Sequence, residues 1–528
     1  MNRHLIAAVS FSVTCVAFLC GSLLGTKPLL AVELMSVSTS QRLGLEEVWR
    51  RQMRVPMGAD SIVNQQVVVH ESDPEIYVQV VSEAKEGSKP QLFFRISVES
   101  MGLNGQPIGK EEAERLARRE VTRLKRKYGD LRIESISVPR LRLYTAANNG
   151  TIDCRDAETG RALWMAQVGN ARLNYGKMGI GDEFISITNG GNLIKVDATN
   201  GEPIRTIRTK SVPLFGALHS GKFSLVPTIA NGIEGYPLPD VTADPFREVV
   251  SGYALAPPVK SPSSTKVAWA TDRGFVYVME CSGEPSVMFR LDTTGIVSGI
   301  AAGDGDQFFF GSEGGQVYSV RATRTGIVQW NRPFGEAFYD PPFLYDGLVL
   351  ITSAYGTLHA LDQATGEEQW LRTVPNVAHV LGAFDGKIFV SLLTGSFATI
   401  DLQTGALIDV DDTLRPMHTL ANRVSDRLYF VNSQGTVQCM RPIGKEIPTV
   451  RKSSRTAEDF EAAADADAEK SKESKPAGTT LDPFDTSDPF ANPGGDADPF
   501  GGDGGMEDPF GGAGGGEDPF GGDPFGGG

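Results

Sequence analysis

The sequence predicts an all-β fold: an eight-bladed β-propeller with a small α/β insertion and a disordered C-terminal tail. Three observations predict it. Eight glycines, Gly150, Gly191, Gly232, Gly274, Gly315, Gly356, Gly395 and Gly435, recur at steps of 41, 41, 42, 41, 41, 39 and 40 residues. A period near 40 residues with short alternating strands is that of one four-stranded blade per repeat. A second turn and a tryptophan follow the glycine at fixed offsets, and segments of quite different composition lie outside the repeats at both ends.

Within a repeat each residue type has a physical reason. The first glycine allows positive φ in a tight hairpin turn. The run after it, as in Thr357–Asp362, alternates as a half-buried strand does. The clearest copy then has Asp362, Thr365, Gly366 and Trp370 after Gly356, and the first copy has Asp156, Thr159, Gly160 and Trp164 after Gly150. Asp and Thr side chains bond nearby backbone groups in such a turn, and glycine supplies a left-handed residue. A tryptophan opening the next strand buries of order 200 Å² when it packs on a neighbouring blade. Other copies are partial: Asp401, Thr404 and Gly405 follow Gly395 without a tryptophan, and Asp197 with Asn200-Gly201 follows Gly191. Thr325-Gly326 and Trp330 follow Gly315 one residue late, and the copies at Gly232 and Gly274 are the most eroded.

This pattern resembles the PQQ-like, tryptophan-docked repeat over roughly residues 133–450. The family includes quinoprotein alcohol dehydrogenases and the outer-membrane protein assembly factor BamB, whose propellers have eight blades. The BamB-like branch implies a non-catalytic scaffold with protein partners, no cofactor and no metal. The alternative is a quinoprotein dehydrogenase relative or a small-ligand-binding propeller. The dehydrogenase branch commonly carries an adjacent cysteine pair, which this sequence lacks.

The last copy, after Gly435, has neither Thr-Gly nor tryptophan, whereas an orphan strand-like stretch with Trp49 lies at residues 40–54. That stretch is expected to complete the eighth blade, so that both ends of the repeat region close the ring. The α/β insertion is expected over 55–132, with strands at Glu75–Ser82 and Gln91–Val98 and a helix from about Lys110 to Tyr128. An apolar stripe through Ala113, Ala117 and Val121 marks the helix, with acids in its first turn and bases in its last.

Net charge is −15, but residues 457–528 hold all of it, which leaves residues 1–456 neutral. A basic nucleic-acid footprint is therefore missing. Residues 1–31 carry an apolar run, Leu5–Gly25, behind Arg3, and read as an export signal or a retained anchor. The expected location is thus the periplasm or cell envelope, with membrane association through this segment as one option. The tail, 456–528, is acidic and Gly-rich and carries six Asp-Pro-Phe triplets, beginning at Asp482. It has too little apolar surface for a core and reads either as a spacer or as a multivalent docking strand.

The sequence contains no HExxH, GxSxG, P-loop or CxxC pattern. Asp340, His379 and His418 lie 16, 16 and 17 residues before their blade glycines and are expected near one mouth of the channel. The three cysteines after residue 31, Cys154, Cys281 and Cys439, read as buried free thiols.

Overall fold

A computed structural model describes residues 32–82, 91–102, 104–239 and 243–451. The export segment at 1–31 and the tail with its Asp-Pro-Phe triplets lie outside the described residues.

The described residues form eight antiparallel sheets in chain order, the blades of a propeller. Six hold four strands, one holds three and one holds five. Blade 2 is representative: Gly179–Ile180 innermost, then Phe184–Asn189, Asn192–Asp197 and, outermost, Pro203–Arg208. Antiparallel pairing puts the turns between second and third strands, together with the loops between blades, on one face. The remaining turns lie on the other. Backbone bonds knit each face: Gly190 N–H donates to the Asn174 carbonyl (2.9 Å) on the first, and Leu402 N–H to the Gly386 carbonyl (2.9 Å) on the second.

The ladder glycines occupy the hairpins between second and third strands. Six take positive φ, from 75° at Gly274 to 88° at Gly150. At the other two, Gly191 and Gly232, the residue before takes that conformation, Gly190 at 58° and Asn231 at 55°. Gly232 is required for space instead, because a Cβ there would stand 2.1 Å from the Glu248 carbonyl oxygen.

The Asp-x-x-Thr-Gly segments form closed side-chain turns between third and fourth strands. Asp156 Oδ1 accepts from Thr159 N–H and Thr159 Oγ1–H, both at 2.7 Å. Asp362 does the same with Thr365 (2.8 and 3.0 Å) and Asp401 with Thr404 (2.8 and 2.6 Å). Asp197 accepts from Thr199 N–H at 2.7 Å. These bonds hold the Asp197 and Asp401 carboxyls below the usual range.

Each tryptophan of the motif docks on the next blade's turn. Trp164 Nε1–H donates to the Ala198 carbonyl (3.0 Å), Trp330 to Gln363 (3.0 Å) and Trp370 to Leu402 (3.0 Å). The ring lies over the glycine of that turn so closely that a Cβ on Gly201, Gly366 or Gly405 would meet it at 2.4, 2.5 or 2.7 Å. These glycines thus serve twice, once for φ and once for the missing side chain.

Trp49 repeats this geometry across the closure. Its strand, Leu45–Gln52, is the outermost of blade 8, antiparallel to Thr436–Pro442. The Trp49 indole donates to the Ala157 carbonyl (2.9 Å), and its ring covers Gly160 of blade 1. The preceding segment straps blades 7 and 8. Val32 pairs with Leu414, Met35 exchanges two hydrogen bonds with the Gln438 amide (2.8 and 2.9 Å), and Thr39 in the helix Val37–Leu43 donates to Asp411 (2.8 Å).

The structure alters the boundary drawn around the insertion. Residues 55–132 include the innermost strand of blade 1, because the first half of Ile62–Ser82 pairs with the second half of Leu131–Ala147 from Ile62↔Ala147 to His70↔Arg140. Both strands run on past the blade, from Glu75↔Val138 to Ser82↔Leu131, after an irregularity at His70/Glu75. Leu92–Ser97 then adds to their edge, and the helix Gly109–Tyr128 packs Ala113, Ala117 and Val121 onto Val78, Val80, Phe94 and Ile96. The insertion is therefore an outgrowth of blade 1 with its own small core, and continuous strands link the two.

Blade 6 has three ladder strands. Its outer segment pairs only through isolated bridges, Leu361↔Glu368 and Leu358↔Val374, although Trp370 between them is docked and buried. On blade 5 a buried cluster ties a turn to blade 4: Asp306 accepts from Ser261 (2.6 Å), Ser264 (2.6 Å) and Lys266 (2.7 Å). Burial pushes the Asp306 carboxyl up, but these three donors outweigh it and hold it below the usual range.

Two predictions follow from the docks and this cluster. Gly405→Ala and Gly386→Ala both place a side chain at φ +71°, but only the first meets a tryptophan; Gly386 has open space around it. Gly386→Ala should cost about 1–2 kcal/mol, and Gly405→Ala about 2 kcal/mol more from overpacking, read as a difference in melting temperature. Asp306→Asn keeps a residue tolerant of its φ of 58° and should cost about 3 kcal/mol at neutral pH. Because the folded carboxyl titrates below the unfolded one, its contribution is complete above about pH 4 and is lost as pH falls further. The gap in melting temperature between wild type and variant should therefore narrow on acidification.

Candidate functional site

The innermost strands of blades 6, 7 and 8, Phe343–Tyr345, Val377–Phe384 and His418–Leu420, border a cavity of about 170 Å³ beside the central channel. Asp340, His379, Thr419 and Arg423 supply its polar groups, and Phe343, Leu350 and Val380 its apolar wall. The structure brings Asp340 and His379 together: Asp340 Oδ2 lies 3.1 Å from His379 Nδ1. That bond raises the His379 pKa above its ordinary value, against a smaller opposing effect of burial.

His418 is not part of this group. It pairs with Val431 in blade 8, and burial lowers its pKa. Arg423 takes the third place instead, donating to the Pro341 carbonyl at 3.2 Å. Surrounding protein pulls its pKa down to about 10, partly offset by Asp340. Lys177, from the loop leading into blade 2, feels Arg423 as a like charge, and desolvation lowers its pKa as well. The cavity therefore groups Arg423 and His379, one charged and one able to take a proton, with the single carboxylate of Asp340, which suits a small anion better than a cation. Among the described residues no group of three or more His, Cys, Asp or Glu is placed to hold a metal.

The three cysteines are free and buried. Burial pushes the Cys154 and Cys281 thiols up to about 12 and the Cys439 thiol up as well. Groups held so far from the thiolate form are poor nucleophiles and poor metal ligands.

The repeat anchors sit at interblade contacts rather than in the channel. Gly150, Gly315, Gly356, Gly395 and Gly435 line one face, whereas Asp156, Thr159, Asp197, Asp362, Thr365, Asp401 and Thr404 line the other. Sequence reasoning missed Phe289. Its ring covers Gly326 of blade 5, where a Cβ would meet it at 2.5 Å, so it takes the tryptophan's place in the eroded blade 4. Glu280 replaces the turn aspartate there, accepting from Cys281 N–H (2.8 Å), Ser282 N–H (3.0 Å) and Thr265 Oγ1–H (2.5 Å). An aromatic 15 residues after Gly274, the offset that Trp330 has from Gly315, was the available signal. Arg423 carried no signal, because it belongs to no repeat position.

The Asp340–His379 pair gives a direct test. The His379 imidazole should titrate above the ordinary value near 6.5, and Asp340→Asn should bring it back toward or below that value, read by NMR titration of the ring protons.

Residues 262–460 match the family described as outer membrane protein assembly factor BamB. No curated protein matches the chain significantly. Among solved structures, BamB from Moraxella catarrhalis is similar at 19% identity with a TM-score of 0.46, covering 57% of this chain and 92% of its own. Saccharomyces cerevisiae Sqt1 is similar at 7% identity and a TM-score of 0.46, covering 56% and 92%. Dihydro-heme d1 dehydrogenase NirN in complex with DHE is similar at 13% identity and 0.39, covering 51% and 63%. With TM-scores below 0.5, these likenesses add nothing to the architecture described above, which rests on the sheets and the tryptophan docks.

Proposed function

From PQQ-like, BamB-like repeats over residues 262–460, we propose that this chain is a non-catalytic, exported propeller scaffold that binds protein partners at the cell envelope. The observation that carries the reading is the family match, since the matched family is described as an assembly factor. The fate of the reactive side chains supports it. The cysteines are buried, and the recurrent aspartates are bonded into turns. Fold by itself does not set function, so partner binding is what must be tested.

Affinity purification from envelope membranes should recover the same partners with the full chain and with a chain lacking residues 457–528 if the propeller does the binding. Partners seen only with the full chain would place binding in the tail. An intact chain that recovers nothing and oxidises alcohols with quinone and calcium would overturn the reading. A second reading, a small-anion-binding propeller, is favoured by Arg423 and His379, which both line the cavity. Calorimetric titration with phosphate and with acetate, comparing wild type and Arg423→Gln, tests it.

A further inference from the structure

The two faces of the propeller differ in a way that the repeat does not require. On the face formed by interblade loops and the hairpins between second and third strands, large apolar side chains point into solvent around the ring. They are Met57, Val212, Ile229, Tyr253, Tyr355 and Leu393, with Met57 79% and Tyr355 76% exposed. Their backbones are fixed: Ile229 N–H donates to the Val212 carbonyl (3.0 Å), Asp272 N–H to Tyr253 (3.1 Å) and Leu393 N–H to Asn376 (3.0 Å). Exposed Arg54 shares a loop with Met57, and exposed Arg172 lies in the loop between blades 1 and 2, on a face that also carries exposed Asp60, Glu313 and Asp412. On the opposite face, outside the blade 1 outgrowth, the turns carry Asp182, Asp346, Asp385 and the Asp-x-x-Thr-Gly segments. Among the described residues of those turns, Ile443 is the exposed large apolar side chain.

The chain enters at the apolar face. Val32 N–H donates to the Thr413 carbonyl (2.8 Å) in the loop between blades 7 and 8, and Glu33 accepts from Ser433 N–H (2.9 Å) in the blade 8 hairpin. Val32, which follows the apolar run Leu5–Gly25 in sequence, therefore lies on this side. The blade 1 outgrowth leaves from the other side, as the continuation of Ile62–Ser82 beyond His70. Residue 451 also lies there, following Val450, which bridges to Ser425 between the first two strands of blade 8.

We propose that this apolar face seats on a lipid bilayer surface, with Val32, the first described residue, on the membrane side and the blade 1 outgrowth directed away. Single aliphatic and tyrosine tips spread around the rim of a disc suit shallow insertion between headgroups, with arginines beside them for lipid phosphates. A protein-docking patch concentrates its anchors in one desolvated centre instead. The inference rests on the envelope location proposed above.

The test uses the full chain with Cys15→Ser and Cys20→Ser, which removes the thiols of the N-terminal segment. Single cysteines carrying a bimane dye are placed at Ile229→Cys or Tyr355→Cys on the apolar face, and at Thr199→Cys or Ala364→Cys on the opposite face. Vesicles of equimolar phosphatidylcholine and phosphatidylglycerol contain nitroxide-labelled lipid. Quenching at residues 229 and 355 should exceed that at 199 and 364 by roughly fivefold, and Tyr355→Ser with Leu393→Ser should reduce the quenching at residue 229. Equal quenching on both faces, or none at residue 355, overturns the proposal. So does protection of the residue 355 dye by an envelope protein without lipid quenching, which would make this a protein interface. Cell fractionation separates the two readings: a membrane-associated chain without face-dependent quenching refutes the docking alone, whereas a cytosolic chain refutes the envelope location itself.

Discussion

The ring depends on one repeated contact, an indole laid flat on a glycine of the next blade. Trp164 on Gly201, Trp330 on Gly366, Trp370 on Gly405 and Trp49 on Gly160 each combine apolar burial with a directed bond from Nε1–H to a backbone carbonyl. The bond fixes the angle between blades, and the buried ring supplies the attraction. Because the carbonyl and the glycine lie in one Asp-x-x-Thr-Gly turn, or Asp-x-x-Asn-Gly at Gly201, the side-chain bonds that shape the turn also shape the receptor for the indole. A shallow turn motif thereby becomes an element of quaternary-like order among blades of a single chain.

Closure uses the same contact between distant parts of the sequence. The last blade takes its outer strand from Leu45–Gln52, and the strap before it binds blades 7 and 8 through Val32, Met35 and Thr39. A ring closed in this way buries its final seam under residues more than 350 positions away in sequence, as in the Gln438–Met35 exchange with a separation of 403. The cost is a long loop-closure step, which grows only slowly with length. The gain is that blade 8 receives its fourth, outer strand and that its seam with blade 1 is docked as the others are. Blade 6, with an irregular outer segment, shows the contact surviving where the ladder does not: Trp370 is docked although the strand around it is broken.

The features that distinguish this propeller from its own repeat lie in what the repeat leaves unspecified. Channel side chains such as Arg423 and Asp340, the outgrowth of blade 1 and the unequal faces all occupy positions that the docks tolerate without prescribing. The same tolerance lets unrelated activities share propellers. It also explains why the anchors, although the most regular residues in the chain, sit in turns and seams and not at the cavity.

Read alone, the sequence determined the eight-fold period, from glycines that recur every 39–42 residues, and the turn chemistry with the tryptophans of the repeats, because those lie within about 20 positions of a glycine. It placed Asp340 near His379 through equal offsets in successive repeats. Tertiary structure decided the rest, for reasons of space. Gly232 is needed because a carbonyl stands where its Cβ would be, and Phe289 serves as a tryptophan because its ring lies on the Gly326 turn of the next blade. His418 lies outside the cavity because its strand neighbour Thr419 lines it and adjacent strand residues face opposite ways. The inner strand of blade 1 lies within a stretch that breaks the rhythm, since an outgrowth separates it from its partner by some 70 residues. Which residues share a face of the ring is likewise a property of strand direction and closure, and no window of sequence contains it.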